Sequence, residues 1–221
     1  MATGVGGVQG FPAALTSFIG RAEPVREVAG LLEEYRLVTV TGPGGPGKIR
    51  LADQVARLVA GRFADEVWLA ELAAVRNPAQ VAAVVAAALG IREQPGLPPA
   101  EALAQVLARR QLLLVLDNCE HVTGAAAQLC AGLVAACDDV RVLATSREPL
   151  RVAGEARYRL APLTLPAPGD PAGAAWCESV ALYADRARRA DARFVLDEQT
   201  ERRWRLARSR CWTGSMTGSR C

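Results

Sequence analysis

Residues 36–59, RLVTVTGPGGPGKIRLADQVARLV, decide the fold of this chain. The β-branched run at residues 36–41 predicts a strand that stops at a cluster of glycines and prolines. Apolar residues at helical spacing over residues 52–59 predict a helix after that cluster. The turn between them, residues 42–48, matches the pattern G-x-x-x-x-G-K in the strand–loop–helix context that this phosphate-binding motif requires.

The glycines of the turn explain why the pattern suits phosphate. Gly42, Gly44, Gly45 and Gly47 allow the backbone to fold around an anion with its N–H groups pointing inward, and the helix that follows adds its positive end. Lys48 would then reach the β- and γ-phosphates of a nucleotide. The alternative is a surface turn that contains a lysine by chance, and the flanking strand and helix favour the phosphate loop.

Two further candidates follow later strands. Asp117 ends the apolar run 112–116, which is typical of a strand buried on both faces. At the carboxyl edge of a sheet, Asp117 could hold Mg²⁺ directly or through water. Such an acid on its own is more often a helix N-cap, but the phosphate loop favours the metal role. Arg147, after the predicted strand 140–145, either places a guanidinium near the γ-phosphate or is a solvated loop residue.

The alternation of strands and helices predicts an α/β fold with a mostly parallel, five-stranded sheet covered by helices on both faces. The predicted strands are residues 36–41, 67–72, 112–117 and 140–145, and the predicted helices are residues 52–59, 77–89, 99–110, 123–136 and 178–189. Because Lys48 and Asp117 have to meet at one site, we expect strands 36–41 and 112–117 to be adjacent or nearly so.

Composition excludes several other classes of protein. Of the 221 residues 51% are hydrophobic and 5% aromatic, which fits an Ala/Leu-rich α/β protein. The net charge of +3 gives no electrostatic case for binding of nucleic acid or membranes by this segment. No apolar stretch approaches the ~20 residues of a membrane span. Six cysteines without a C-x-x-C pair, beside a single histidine, argue against a zinc site, and we expect a cytoplasmic protein.

Four segments together resemble the NB-ARC domain. They are SFIGR at residues 17–21, the loop at 42–48, LLVLDNCEHV at 113–122 and VLATSREPL at 142–150. More narrowly, they are similar to the signal-transduction (STAND) P-loop ATPase domain of actinobacterial LuxR-type and antibiotic-regulatory-protein-type transcriptional regulators. The resemblance covers about residues 11–200, and the last two segments are its most specific part.

The resemblance implies a switch controlled by ATP and ADP. ADP would hold a closed form, exchange for ATP would open it, and attached domains would carry DNA binding or signal sensing. It implies that Gly20 and Arg21 lie near the nucleotide, that Asp117 binds Mg²⁺ and that Arg147 senses the γ-phosphate. The predicted nucleotide-binding set is completed by the loop and the two residues after it: Gly42, Gly44, Gly45, Gly47, Lys48, Ile49 and Arg50.

Two loop residues depart from the family pattern. Ile49 stands where a Ser or Thr hydroxyl would coordinate Mg²⁺, and Pro46 lacks the backbone N–H that its usual counterpart supplies. A lost hydrogen bond to a charged phosphate costs about 1.5–3 kcal/mol. If both changes cost this much, affinity falls by roughly 10²- to 10⁴-fold. We therefore predict impaired Mg-ATP binding and leave open whether the domain hydrolyses ATP.

The sequence divides into four parts. These are a flexible N-terminus (1–16), the nucleotide-binding domain (17–160), a linker with the start of a helical lobe (161–200) and a tail (201–221). The tail has an Arg/Cys/Trp/Ser composition without periodicity, so we expect disorder or an out-of-frame segment, the alternative being a divergent basic tail. The C-terminal region that follows in the family is thus expected to be incomplete.

Three functions are compatible with these patterns. The first is a nucleotide switch module whose relatives carry DNA-binding or sensor domains. The second is another P-loop enzyme, such as a small-molecule kinase, which would need an acceptor-binding lid that the sequence does not suggest. The third is a fragment that keeps the fold but binds no nucleotide, which Pro46 and Ile49 favour.

Overall fold

The computed structural model describes residues 7–13, 16–45, 47–165 and 177–195. Pro46, the proline-rich linker around residues 166–171 and the tail 201–221 lie outside the described residues, so the predictions made for them stay predictions. The chain falls into two units. The first comprises residues up to Thr16 together with Arg21–Pro162, and the second comprises Ser17–Gly20 together with residues from Leu163 onward.

The first unit alternates strands and helices. Its strands are β1 (Val8–Gln9), β2 (Leu37–Thr41), β3 (Val67–Glu71), β4 (Leu113–Asp117), β5 (Arg141–Ser146) and β6 (Glu155–Arg159). Its helices are α1 (Ala22–Glu34), α2 (Gly47–Val59), α3 (Val81–Ala88), α4 (Pro99–Leu107) and α5 (Thr123–Ala136), with 3₁₀ turns at Ala60–Arg62, Pro78–Gln80 and Cys119–His121. The predicted helix 77–89 is therefore a 3₁₀ turn followed by α3, and the Asn77 side chain caps it by accepting from the N–H of Ala79.

The described strands form one parallel sheet in the order β1-β3-β4-β5-β2-β6. The α/β fold and the parallel sheet are confirmed, but the predicted number of five strands is wrong, since the described residues already form six. Strand β1 is only two residues long and lies within the N-terminal segment that we expected to be flexible. Strand β6 carries charged, exposed positions and lacks an apolar pattern. Strands β2 and β4 flank β5, so they are nearly adjacent, as expected.

Helices cover both faces of the sheet. On β4 every residue is buried, and alternate side chains point to opposite faces. Leu114 and Leu116 belong to the apolar cluster that contains α3, α4 and α5. Leu113 and Val115 are equally buried but lie outside that cluster, on the side where α2 contacts β4 and β5 and α1 packs on α2. This two-sided burial explains the continuous apolar run.

Helix α1 was not predicted, although its signal is present in the sequence. Val25, Val28, Ala29 and Leu32 recur at helical spacing and are buried. In the second unit, the described residues form α6 (Glu178–Ala190), close to the predicted helix 178–189. Within this unit Asp185 accepts a hydrogen bond from the hydroxyl of Ser17 at 3.1 Å. No helix in the described part of the chain is long and apolar enough to cross a bilayer.

Candidate phosphate-binding site

The glycine-rich loop connects β2 to α2 and forms the wall of a small cavity. The cavity has a volume of about 90 Å³ and is lined by Arg21, Gly42, Pro43, Gly44, Gly45, Gly47, Lys48, Leu160, Ala161 and Pro162. Gly45 has a φ of 132°, a conformation that strongly favours glycine. Because α2 begins at Gly47, its unpaired N-terminal N–H groups belong to the same site.

Lys48 lies inside the loop, as the motif predicts. Its side chain is buried, and its ammonium group donates to the carbonyl oxygens of Gly42 at 3.2 Å and Pro43 at 2.9 Å. A buried cation is costly unless acceptors replace its water, and these two carbonyls supply them. The loop therefore holds the ammonium group of Lys48 against its own carbonyl groups.

Arg21 brings a second cation to the loop. It adopts the left-handed conformation, with φ of 62°, immediately before α1. Its Nη2 donates to the carbonyl of Ala161 at 3.4 Å, and its Nη1 would be 2.5 Å from a Cβ atom at Gly47. A Cβ atom at position 47 would push the end of the Arg21 side chain away, so the glycine allows this close approach. The structure thus places Arg21 beside the first residue of α2.

Asp117 lies at the carboxyl end of β4, where its carboxylate is buried. It accepts a hydrogen bond from the hydroxyl of Thr145, on β5, and one from the side-chain amide of Asn118 at 3.0 Å. Burial raises the pKa of Asp117, the hydrogen bond from Thr145 lowers it in part, and the negative charges of Glu71 and Glu120 raise it further. This carboxylate is therefore held in an environment that disfavours its charge.

The fit of Mg²⁺ to these residues is partial. In the part of the chain that the structure describes, no three His, Cys, Asp or Glu side chains form a group that could hold a metal ion. Mg²⁺ beside a nucleotide needs less, because one or two carboxylates, waters and phosphate oxygens suffice. Asp117 can supply the carboxylate, whereas Ile49 supplies no oxygen.

Arg147, just after β5, provides a third cation. Its Nη2 would be 3.5 Å from a Cβ atom at Gly44, so the guanidinium lies beside the loop. Its Nε donates to Oε1 of Glu120 at 3.1 Å. Glu120 was absent from the predicted site, and its only sequence signal is that it follows Asp117 by three residues. The sheet order produces this pairing, because β5 lies directly between β4 and β2.

Ile49 and Arg50 line a second cavity next to the loop. This groove has a volume of about 270 Å³ and is lined by Phe11, Pro12, Ala13, Thr16, Ile49, Arg50, Asp53 and Gln54. Arg50 donates to the carbonyl of Thr16 at 3.0 Å, which ties the N-terminal segment to α2. The contribution of residues 11–13 and 16 was missed in the sequence, because a Gly- and Ala-rich segment carries no periodic signal.

Gly20 belongs to the other unit. Its φ is 72°, and a Cβ atom there would come within 2.6 Å of the Glu178 carboxyl group. The described geometry thus explains why glycine occupies this position. Its proximity to a nucleotide remains a prediction from the resemblance.

The sequence pattern of the NB-ARC domain family matches residues 21–162 of this chain, the range that contains the loop, Asp117 and Arg147. The chain belongs to the NB-ARC domain family. Arg21, Lys48, Asp117 and Arg147 all lie within the matched range.

Mycobacterial proteins are similar to this NB-ARC chain over most of its length. An uncharacterized protein of Mycobacterium tuberculosis is 38% identical over 186 residues, which cover 84% of this chain and 45% of the relative. Another protein of that organism, whose name assigns it provisionally to the HTH-type transcriptional regulators, is 39% identical over 166 residues, covering 75% of this chain and 18% of the relative. The chain thus spans less than half the length of these two relatives.

A solved structure extends the comparison to the fold. The Aeropyrum pernix ORC1 protein, in complex with DNA, superimposes with a TM-score of 0.54 and 20% identity, over 76% of this chain and 56% of that one. At this level of identity the likeness concerns the fold alone. The fold is that of an α/β P-loop NTPase.

Proposed function

We propose that this NB-ARC domain is the ADP- and ATP-binding switch module of a transcription-regulating ATPase. It binds ADP at least as well as Mg-ATP and hydrolyses ATP slowly or not at all. The observation that carries this proposal is the convergence of three cationic side chains on one glycine-rich loop. Arg21, Lys48 and Arg147 come from three segments far apart in the sequence, and each contacts or adjoins a different loop residue.

The charge distribution favours a polyphosphate over other anions. Loop N–H groups and the start of α2 bind a phosphate through backbone dipoles, and the three cations neutralise further phosphate charge. The adjoining groove, with the apolar side chains of Phe11, Pro12 and Ile49 and the polar side chains of Asp53 and Gln54, is our proposed place for the nucleoside. A nucleotide would then bind with its base in the groove and its phosphates on the loop.

The preference for ADP follows from the incomplete magnesium site. ATP is bound as its Mg²⁺ complex, and Ile49 offers no hydroxyl to that ion. Asp117 is left as the carboxylate for the metal, and its burial disfavours the charged form that would bind a cation. ADP relies less on the metal and keeps the contacts of the loop and Lys48. Weak or absent hydrolysis is expected for the same reason.

The attached partners are also part of the proposal. One relative is named among HTH-type regulators, and this chain spans 18% of that relative, so DNA binding in this family would belong to regions beyond the shared segment. We propose that residues 21–162 bind nucleotide and not DNA, a point to test directly because the ORC1 structure with a similar fold contains DNA. The cytoplasmic location likewise stays a prediction.

Calorimetric titration of the purified chain with ADP and with ATP, each with and without Mg²⁺, tests the proposal. Lys48→Ala should lower affinity for both nucleotides by roughly ten- to a hundredfold, the loss of a charged hydrogen bond. Arg109→Ala removes an exposed cation outside the site and should leave both affinities unchanged.

Two results would favour the other functions. If the wild type binds neither nucleotide at millimolar concentration, the chain is a fold-retaining fragment and the proposal is wrong. Transfer of phosphate from ATP to a small-molecule acceptor would instead indicate a kinase. A labelled duplex DNA retained by the chain at physiological salt would contradict the assignment of DNA binding to other regions.

A further inference from the structure

We propose that Glu120 is a positioning residue that orients the guanidinium of Arg147 toward the phosphate loop and thereby sets the preference of the site between ATP and ADP. This inference rests on the proposed function, because it concerns how the same site recognises a third phosphate. It assigns a role to a residue that the motifs did not select.

The first argument is the geometry of the ion pair. Glu120 engages Arg147 through Nε, the donor nearest the chain, at 3.1 Å. Within the described residues, the two Nη groups of Arg147 donate to no other side chain or carbonyl, and Nη2 lies beside Gly44. A guanidinium held at Nε presents its two Nη groups as a fork, which is the geometry that binds phosphate oxygens in pairs.

The second argument is that Glu120 is held while Arg147 is exposed. The Glu120 side chain is 12% exposed and that of Arg147 is 66% exposed. The backbone of Glu120 lies in the 3₁₀ turn after β4, where the hydroxyl of Thr123 donates to its carbonyl at 3.3 Å. An exposed arginine loses several rotatable bonds on binding an anion, and pairing with a largely buried carboxylate reduces that cost by limiting the arginine's rotamers beforehand.

The third argument is the incomplete pairing of the carboxylate. Oε2 of Glu120 is buried and, among the described residues, accepts no hydrogen bond. A buried carboxylate with one unpaired oxygen depends strongly on its remaining partner, since losing that partner would leave the charge uncompensated. Arg147 is therefore kept next to the loop before any nucleotide arrives.

The charges allow the positioning role to be separated from plain electrostatics. A negative charge near the loop repels ATP more than ADP, because ATP carries the extra phosphate. If Glu120 acted through its charge alone, removing it would raise the affinity for ATP relative to ADP. If Glu120 positions Arg147, removing it lowers that ratio. The two roles thus predict changes of opposite sign.

The experiment measures the ratio of ATP affinity to ADP affinity in the full chain, in wild type, Glu120→Ala, Glu120→Gln and Arg147→Ala. We expect Glu120→Ala to lower this ratio roughly three- to tenfold, as for a weakened charge-assisted hydrogen bond. Glu120→Gln keeps an acceptor for Nε and should restore part of the ratio. Arg147→Ala should lower the ratio at least as far as Glu120→Ala does. The double variant, which carries both substitutions, should have the same ratio as Arg147→Ala alone.

Glu148→Gln is the matched control, because Glu148 is an acid on the same loop as Arg147. Its side chain is 54% exposed, and it pairs with Arg151 and not with Arg147, at a distance of 4.0 Å. This substitution should leave the ratio unchanged. A ratio that rises in Glu120→Ala and Glu120→Gln alike, or additive losses in the double variant, overturns the positioning role while the proposed function stands. A wild type that binds neither nucleotide overturns the proposed function and this inference with it.

Discussion

Replacing Ile49 with threonine tests whether the missing hydroxyl limits Mg-ATP binding. Ile49 is the second residue after the last loop glycine, at the start of α2. A threonine at this position would carry Oγ1 on its Cβ atom, and threonine in a helix divides between two χ1 rotamers, so the hydroxyl can turn toward the phosphates. We expect Ile49→Thr to raise affinity for Mg-ATP by about tenfold, that is by about 1.4 kcal/mol.

That magnitude is the difference between two opposing effects. A ligand bond to Mg²⁺ is taken as similar to a charge-assisted hydrogen bond, about 1.5–3 kcal/mol. Against it stands lost packing, because Ile49 is half-buried where it lines the groove with Phe11 and Pro12. Removing one methyl group from such a site costs about 0.5–1.5 kcal/mol of packing energy, and part of this loss lowers the affinity for a nucleotide bound in the groove. A net gain near tenfold lies within these limits.

The assay is calorimetric titration with Mg-ATP, Mg-ADP and metal-free ADP. The matched control is Ile49→Val, which has the shape of threonine and loses the same methyl group without gaining an oxygen. Metal-free ADP should bind the threonine and valine variants equally, because no metal is present for the hydroxyl to coordinate. A further substitution, Pro46→Val, restores a backbone N–H donor and should add to the gain in the threonine background.

Equal Mg-ATP affinity in Ile49→Thr and Ile49→Val would refute this reasoning. It would mean that the hydroxyl does not reach the metal, or that a part of the family's C-terminal region, not the loop, limits binding. A gain for metal-free ADP as large as for Mg-ATP would also refute it, since the effect would then be on packing in the groove.

Three other substitutions test the buried carboxylate and the core. Burial raises the pKa of Asp117, so the folded state binds the proton of this carboxyl group more tightly than the unfolded state does. Protonation of Asp117 therefore stabilises the folded state at acid pH, and this contribution is lost as the pH rises through the pKa of the folded state. Calorimetric unfolding should therefore show Asp117→Asn more stable than wild type at pH 7, with a difference that shrinks on acidification; a constant difference would contradict the titration of Asp117. Leu114→Ala, at a fully buried position of β4, should cost about 2–5 kcal/mol in urea unfolding. Leu58→Ala, at a side chain 54% exposed on α2, should change stability by less than about 0.5 kcal/mol, and similar losses for both would contradict the assigned core.

Local patterns in the sequence determined the elements that carry the site. The glycine-rich loop is recognisable because close backbone approach to an anion leaves few residue types available. Strand β4 is recognisable because a strand buried on both faces needs a continuous apolar run, and β2 is recognisable because most of its residues are β-branched. Helix α5 spans the predicted residues, Thr123–Ala136. The positions of Lys48 and Asp117 follow from these elements, since each lies at the carboxyl edge of the sheet.

Only the tertiary structure decided which distant segments meet. Strands β1 and β6 join the sheet without an apolar pattern of their own, because an edge strand is held by backbone pairing with one neighbour. The insertion of β5 between β4 and β2 brings Arg147 to both Glu120 and Gly44. No local periodicity encodes that arrangement, since strand order depends on the summed burial of all the helices and strands. The acid that orients the arginine is therefore visible only in the folded chain.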